Sequence, residues 1–127
     1  MSDHEHLTVG RISYRLNRLF QGEVELGYGS VFTVEDTGLV QGSFTVVHGA
    51  IAIVEGAVHG SISVHPGGEL RVMPGGQIIG YIRNDGRIEN FGTRGGPVHG
   101  SGTLTDDEGS NVLVPRIDED GSQNFTL

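Results

Sequence analysis

Cysteine, tryptophan and lysine are all missing from this 127-residue chain. The absence of cysteine excludes disulfides, a thiolate nucleophile and any Cys-based zinc or redox centre, and it fits a reducing compartment. Without lysine, eight arginines are the whole positive complement, against 16 acidic residues and a formal net charge of −8. Such a surface repels phosphate backbones, so no nucleic-acid partner is expected, whereas a basic protein partner is compatible with it. Long apolar runs are missing as well, for nothing approaches the ~20 residues that cross a bilayer. The opening Met1-Ser2-Asp3-His4-Glu5-His6 lacks the basic and apolar regions of a secretory signal. The expectation is a cytoplasmic protein with no transmembrane segment.

Glycine, by contrast, is abundant at 22 residues, more than twice what the average usage of about 7% predicts. The glycines mark an internal repeat. Five segments align: Phe20-Gln-Gly-Glu-Val-Glu-Leu26, Val40-Gln-Gly-Ser-Phe-Thr-Val46, Val58-His-Gly-Ser-Ile-Ser-Val64, Ile78-Ile-Gly-Tyr-Ile-Arg-Asn84 and Val98-His-Gly-Ser-Gly-Thr-Leu104. Their starts lie 20, 18, 20 and 20 residues apart, and the third place is always glycine: Gly22, Gly42, Gly60, Gly80 and Gly100. A second alternating pair follows in each unit: Val31/Thr33, Ile51/Ile53, Leu70/Val72, Ile88/Asn90 and Val112/Val114.

A strand this short cannot bury its apolar face alone, but equivalent strands from successive units can stack into one core with a parallel hydrogen-bond ladder. About 20 residues per unit is too few for a βαβ crossover, which needs roughly 30. It suits one coil of a β-helix, with the fixed glycine at a corner of positive φ or close approach. The predicted fold is therefore all-β: a single-domain parallel β-solenoid over residues 20–117, of about five coils of 18–20 residues. The departure from strict 18-residue coils favours a right-handed path. An antiparallel barrel or sandwich also uses short alternating runs, but it does not demand glycine at one fixed place. Ahead of the repeat, residues 1–19 are expected to form a terminal segment and cap. Ile12, Leu16 and Leu19 lie at i, i+4, i+7, which predicts a short amphipathic helix or an irregular first strand. Residues 118–127 read as a polar tail.

The chain offers little chemistry. It has no Gly-x-Ser-x-Gly elbow, no phosphate-binding loop and no dinucleotide fingerprint. His4 and His6 read as solvated. His48, His59 and His99 each follow a valine and precede a glycine, which turns them outward, and His65 sits in a Pro-Gly-Gly turn. On neighbouring but one coils, His59 and His99 would stand about 10 Å apart, too far to share a zinc ion in one chain. The acidic runs Asp106-Asp107-Glu108 and Asp118-Glu119-Asp120 lack the calcium-binding nonapeptide pattern and read as solvated loops. Acids on adjacent coils, such as Glu69 and Glu89, are candidates for a paired-carboxylate hydrolase site, but no long loop builds a cleft around them. Asn84 and Asn90 fall where other units carry apolar residues; turn chemistry around Asp85-Gly86, or amides buried against backbone, accounts for both. No catalytic, cofactor-binding or metal-binding residue is assigned, and no cofactor is expected.

The segments Phe20-Gln-Gly-Glu-Val24, Val40-Gln-Gly-Ser-Phe44 and Val58-His-Gly-Ser-Ile-Ser-Val64, followed by Gly67-Gly68-Glu-Leu-Arg-Val72, resemble the bactofilins and related polymer-forming bacterial proteins. The resemblance spans about residues 20–104. It implies a small right-handed β-helix that assembles end to end into filaments without nucleotide, hence a non-enzymatic cytoskeletal scaffold whose partner is itself. The alternative is an acidic stoichiometric binding protein, such as an immunity protein that neutralises a toxin with a basic surface.

Overall fold

In the structure, a computed structural model, residues 5–9, 13–107, 109–117 and 123–126 are described, with side chains for 13–107 and 109–112. The described residues contain strands and turns and no helix. In chain order the strands are β1 (Glu5–Val9), β2 (Ser13–Leu16), β3 (Leu19–Leu26), β4 (Val31–Val34), β5 (Leu39–Val46), β6 (Ile51–Val54), β7 (Ala57–Val64) and β8 (Glu69–Val72). They continue with β9 (Gln77–Asn84), β10 (Arg87–Asn90), β11 (Thr93–Gly95), β12 (Val98–His99), β13 (Thr103–Asp106), β14 (Asn111–Ile117) and β15 (Gln123–Thr126). Long and short strands alternate, and each kind stacks on its own kind. The long-strand sheet runs β1-β3-β5-β7-β9-β11-β14-β15 with β12 also on β9, and the short-strand sheet runs β13-β10-β8-β6-β4-β2. Every pairing is parallel except β14 with β15. This is a parallel β-solenoid, as the repeat predicts, with six short strands marking six coils where five were expected.

Five inward rows run along the axis and fill the lumen. In the long sheet they are Phe20-Val40-Val58-Ile78, Val24-Phe44-Ile62-Ile82-Val98 and Leu26-Val46-Val64-Asn84. In the short sheet they are Tyr14-Phe32-Ala52-Leu70-Ile88 and Leu16-Val34-Val54-Val72-Asn90. Nearly all these aliphatic and phenyl side chains are sealed from water. Large and small residues are compensated across the lumen: Ala52 sits between Phe32 and Leu70 in its row, and Phe44 meets Phe32 edge-on at 5.7 Å between ring centroids. The long strands carry glycine at their fourth place, Gly22, Gly42, Gly60 and Gly80, with φ between +137° and +141°. A Cβ on Gly60 would lie 2.0 Å from the Gly42 carbonyl oxygen. Both the turn and the contact therefore demand the missing side chain.

Coil length follows from connection length. Each coil from β3 to β10 contains an eight-residue and a four-residue strand. The connections are of four residues (27–30, 35–38, 47–50, 65–68, 73–76) or two (55–56, 85–86, 91–92). From Leu19 the coils are accordingly 20, 18, 20 and 16 residues long. The 16-residue coil corrects the alignment of the fifth repeat. Val98 pairs with Ile82, not with Ile78, whose partner is Arg94; the place of Gly80 is taken by Gly96, not by Gly100. The second inward pair is corrected in two coils. Phe32/Val34 and Ala52/Val54 face the lumen, and Val31/Thr33 and Ile51/Ile53 face outward. VFTV and IAIV are apolar at successive residues, so alternation alone cannot choose a face, and register with Leu70 and Val72 decides it. Leu70/Val72 and Ile88/Asn90 face inward as expected. Val112 lies in β14 of the long sheet, is exposed, and does not belong to the pair series.

Of the amphipathic helix or irregular first strand expected over residues 11–19, the described residues form the strand. Ser13–Leu16 is the strand β2, paired with β4, because Leu16 fits the Val34-Val54 row; Leu19 is half exposed, and Arg11 and Ile12 lie outside the described residues. The segment read as a cap thus supplies a further coil. At the other end, Gln123–Thr126 of the expected tail forms β15 on β14, and 118–122 and 127 lie outside the described residues.

Candidate assembly surfaces

The first residue set of interest ends the lumen. The two asparagines expected in turns or buried amides are both at once. Asn84 Oδ1 accepts from Gly86 N at 3.1 Å while its Nδ2 donates to Thr103 O at 2.8 Å. Asn90 Oδ1 accepts from Gly92 N at 3.0 Å and its Nδ2 donates to Asp106 Oδ1 at 3.0 Å. Each closes a two-residue connection by bonding the second residue on, which lets the coil shorten. One coil further, the apolar rows end in charge. Arg94 continues the Ile78 row and Asp106 the Asn90 row, and they meet in a two-pronged ion pair with both N–O distances at 2.8 Å. Arg94 is 18% exposed and Asp106 28% by side chain, so the pair is partly shielded. Hydrogen bonds from Arg94 first, and from Asn90 after it, hold the Asp106 carboxyl below the usual carboxylate range against the opposing effect of burial. Asp106 is therefore not part of a solvated acidic loop. Asp107 does lie in a turn, accepting from Gly109 N at 3.3 Å, while Glu108 lies outside the described residues.

The ends differ in backbone. Among the described residues, β1 and β2 are the outermost strands at the N-terminal end, and β13 at the C-terminal end of the short sheet. Leu16 O accepts from Glu35 N at 2.8 Å, which turns its backbone toward the next coil. Alternation then turns the Arg15 backbone to the free edge. The long sheet instead ends in the antiparallel β14–β15 pair.

The outer faces differ in charge. Before the corner glycines, the long strands present Leu19, Leu39, Ala57 and Gln77 in one row and Gln21, Gln41, His59 and Ile79 in the next. Gln21 donates to Gln41 at 3.0 Å, and His59 Nε2 meets Gln77 Oε1 at 3.0 Å. Past the corner lie Glu23, Glu25, Arg83, the half-exposed Tyr81 and small hydroxyl residues. On the short sheet, Glu69 and Glu89 do lie on adjacent coils, but each faces an arginine: Glu69 pairs with Arg71 (3.3 Å) and Arg87 (4.0 Å), Glu89 with Arg71 (3.7 Å) and with Arg87. In this checkerboard each carboxylate lies against arginines. Asp85 sits at a connection, where Ser101 N, the larger cause, and Arg83 hold its carboxyl below the usual range.

The histidines do not converge. His48 and His65 are exposed in connections, with the His48 ring stacked on Tyr28 at 6.0 Å. His59 and His99 both face outward but occupy different rows, since His59 pairs with Ile79 and His99 with Arg83. A separation of about 10 Å requires one shared row, and the shifted register corrects it. His99 stacks on Tyr81 at 5.2 Å. His4 lies outside the described residues, as does the side chain of His6. No three of His, Asp and Glu group closely enough to hold a metal among the described residues. An open groove of about 450 Å³ follows the corner where Pro74-Gly75 projects, and Asp36 is the one carboxylate among its lining residues. No helix of the described residues is long and apolar enough to cross a membrane. Sequence reasoning missed the Arg94–Asp106 pair. The signal for it was Asn-x-Gly twice in nine residues, which marks two tight connections in one coil. Compared with known proteins, the chain matches no family model, no curated sequence and no solved structure.

Proposed function

We propose that this chain is a non-enzymatic, cytoplasmic structural scaffold, a solenoid of the bactofilin kind whose copies join end to end. The observation that carries the reading is the free edge at the N-terminal end. Both sheets stop there on an outermost parallel strand with no neighbour among the described residues. A free strand edge is a template for another strand, and a second copy offers two such edges at matching separation. The lumen supports the same reading: Tyr14 and Leu16 stand at the end of the apolar rows, with Tyr14 stacked on Phe32 at 5.3 Å and still partly exposed. The test is light scattering with negative-stain microscopy across a concentration series, on the chain and on Arg15→Pro. Proline at an outward-facing edge residue removes a donor the fold does not use and blocks strand addition. Concentration-dependent oligomers or filaments lost in Arg15→Pro support the scaffold; a strict monomer at every concentration refutes it.

A second reading is favoured by the net charge of −8 and by the antiparallel β15, which finishes the long sheet at one end. It is a stoichiometric acidic binder of a basic protein, such as a toxin-neutralising immunity protein. Its mark is a one-to-one complex that weakens steeply with salt.

A further inference from the structure

About one residue in five of this chain is charged (19%), and the net charge is −8, so two copies side by side repel. One outer face escapes this. The rows before the corner glycines, Leu19-Leu39-Ala57-Gln77 and Gln21-Gln41-His59-Ile79, contain no Asp, Glu or Arg, and Thr93 and Asn111 continue the first row without charge. Leu19 is 50% exposed there, and Leu39, Ala57 and Ile79 are each partly exposed. Gln21 and Gln41 are tied amide to amide within their row, and His59 is tied to Gln77 across the two rows, so the polar groups of this face are paired with one another and not with charges.

We propose that this uncharged face is a lateral contact between solenoids, and that its occupant is the same face of a second copy. The charge argument selects that occupant: a copy can approach another copy without opposing like charges here, whereas the other outer faces carry Glu23 and Glu25, or Arg15 and the Glu69–Arg87 checkerboard. Area sets the condition. Six stacked strands at ~4.8 Å by about 10 Å of width give roughly 290 Å² per copy, well under the ~800 Å² per partner of a stable interface. Single copies therefore pair weakly. Copies already joined end to end add one such patch each, and the contact becomes strong through multivalency. The inference rests on the scaffold reading, which it extends from single to paired polymers.

The test places one charge on this face in either sign, with Gln41→Glu and Gln41→Arg, and images polymers of each and of their mixture. Circular dichroism and thermal melts confirm that both variants fold, and Ser43→Glu, past the corner, serves as the control surface. The expected result is polymers two solenoids wide for the parent chain and for Ser43→Glu, one solenoid wide for either Gln41 variant, and double again when Glu and Arg polymers are mixed. A net-charge effect would instead separate the two signs. Parent polymers one solenoid wide, or variants that remain paired, overturn the lateral contact and leave end-to-end joining intact. If the chain does not polymerise at all, sedimentation over a concentration series decides: a weak dimer abolished by both Gln41 variants upholds the face, and a monomer indistinguishable from the variants overturns it.

Discussion

Alanine at Gly60 separates the two reasons for glycine at the corner. Gly60 has φ +137°, in a region where non-glycine residues cost about 1–3 kcal/mol. An added methyl would also stand 2.0 Å from Gly42 O and 3.0 Å from Gly42 N. Relieving such an overlap by shifting packed backbone costs a further ~1–3 kcal/mol. Gly75 is the comparison, because it too has positive φ (+87°) but nothing within 4 Å of an added methyl. Both substitutions stiffen the unfolded chain alike, which returns about 0.4–1 kcal/mol and cancels in the comparison. The backbone cost of positive φ is common to both sites, so Gly60→Ala should be less stable than Gly75→Ala by the overlap alone, about 1–3 kcal/mol, a sizeable part of the 5–15 kcal/mol typical of a domain. Urea titrations followed by circular dichroism, with the slope checked for constancy, measure the difference. Equal midpoints for the two variants would refute the argument that successive coils touch backbone to backbone at this glycine.

Other consequences follow from the same geometry. The depressed carboxyl of Asp106 stabilises the fold above the unfolded aspartate value of about 3.9, and this contribution is lost as pH falls through the lower folded value. Asp106→Asn should cost up to ~1 kcal/mol at pH 7 for so accessible a pair, and the difference should shrink as pH falls below ~3.9, as read from paired denaturant titrations; a pH-independent difference contradicts the assignment. Asn90→Leu leaves the buried Gly92 N–H without its acceptor and should cost about 1–3 kcal/mol despite the added apolar surface; a gain in melting temperature would oppose that reading. Phe44→Ala opens a cavity against Phe32 and should cost about 3–5 kcal/mol by the same titration. Glu89→Gln, in the outer checkerboard, should change stability by under ~1 kcal/mol and by less in high salt; a large salt-independent loss would show a stronger pair than the geometry indicates.

What the sequence revealed and what it hid have physical causes. Gly22, Gly42, Gly60 and Gly80 stack as the repeat implied, because in each the same corner imposes the same backbone. The alignment failed at Val98-His-Gly100, where the motif recurs by coincidence after a shortened coil. Spacing of identical triplets cannot see a connection that loses two residues twice; Asn84-Asp-Gly86 and Asn90-Phe-Gly92 carried that information. The faces of β4 and β6 were ambiguous since Val31, Phe32, Ile51 and Ala52 are all apolar, and only neighbouring coils fix the register. Of the outward set before the corner, His59 was placed from the sequence, and Gln21 and Gln41 hold the same place in their segments. The set's lack of charge became meaningful only when strand pairing laid Leu19, Leu39 and Ala57 beside it.

Register is the claim on which the surfaces, the lumen plug and the ends all depend, and engineered cysteine pairs read it cleanly in a chain that has none of its own. Ser43→Cys with Ser61→Cys joins paired residues of adjacent coils, and Arg83→Cys with His99→Cys does so across the corrected fifth coil. Both pairs stand within the ~4.4–6.8 Å between Cα atoms that a disulfide spans. Ile79→Cys with His99→Cys, the pair that an unshifted repeat would bring together, lies four residues apart along the strand, about 13 Å. Under mild oxidation the first two pairs should close within the monomer and the third should stay reduced. Closure of Ile79→Cys with His99→Cys in place of Arg83→Cys with His99→Cys would contradict the stacking described for the last coils, and failure of Ser43→Cys with Ser61→Cys would contradict the solenoid itself.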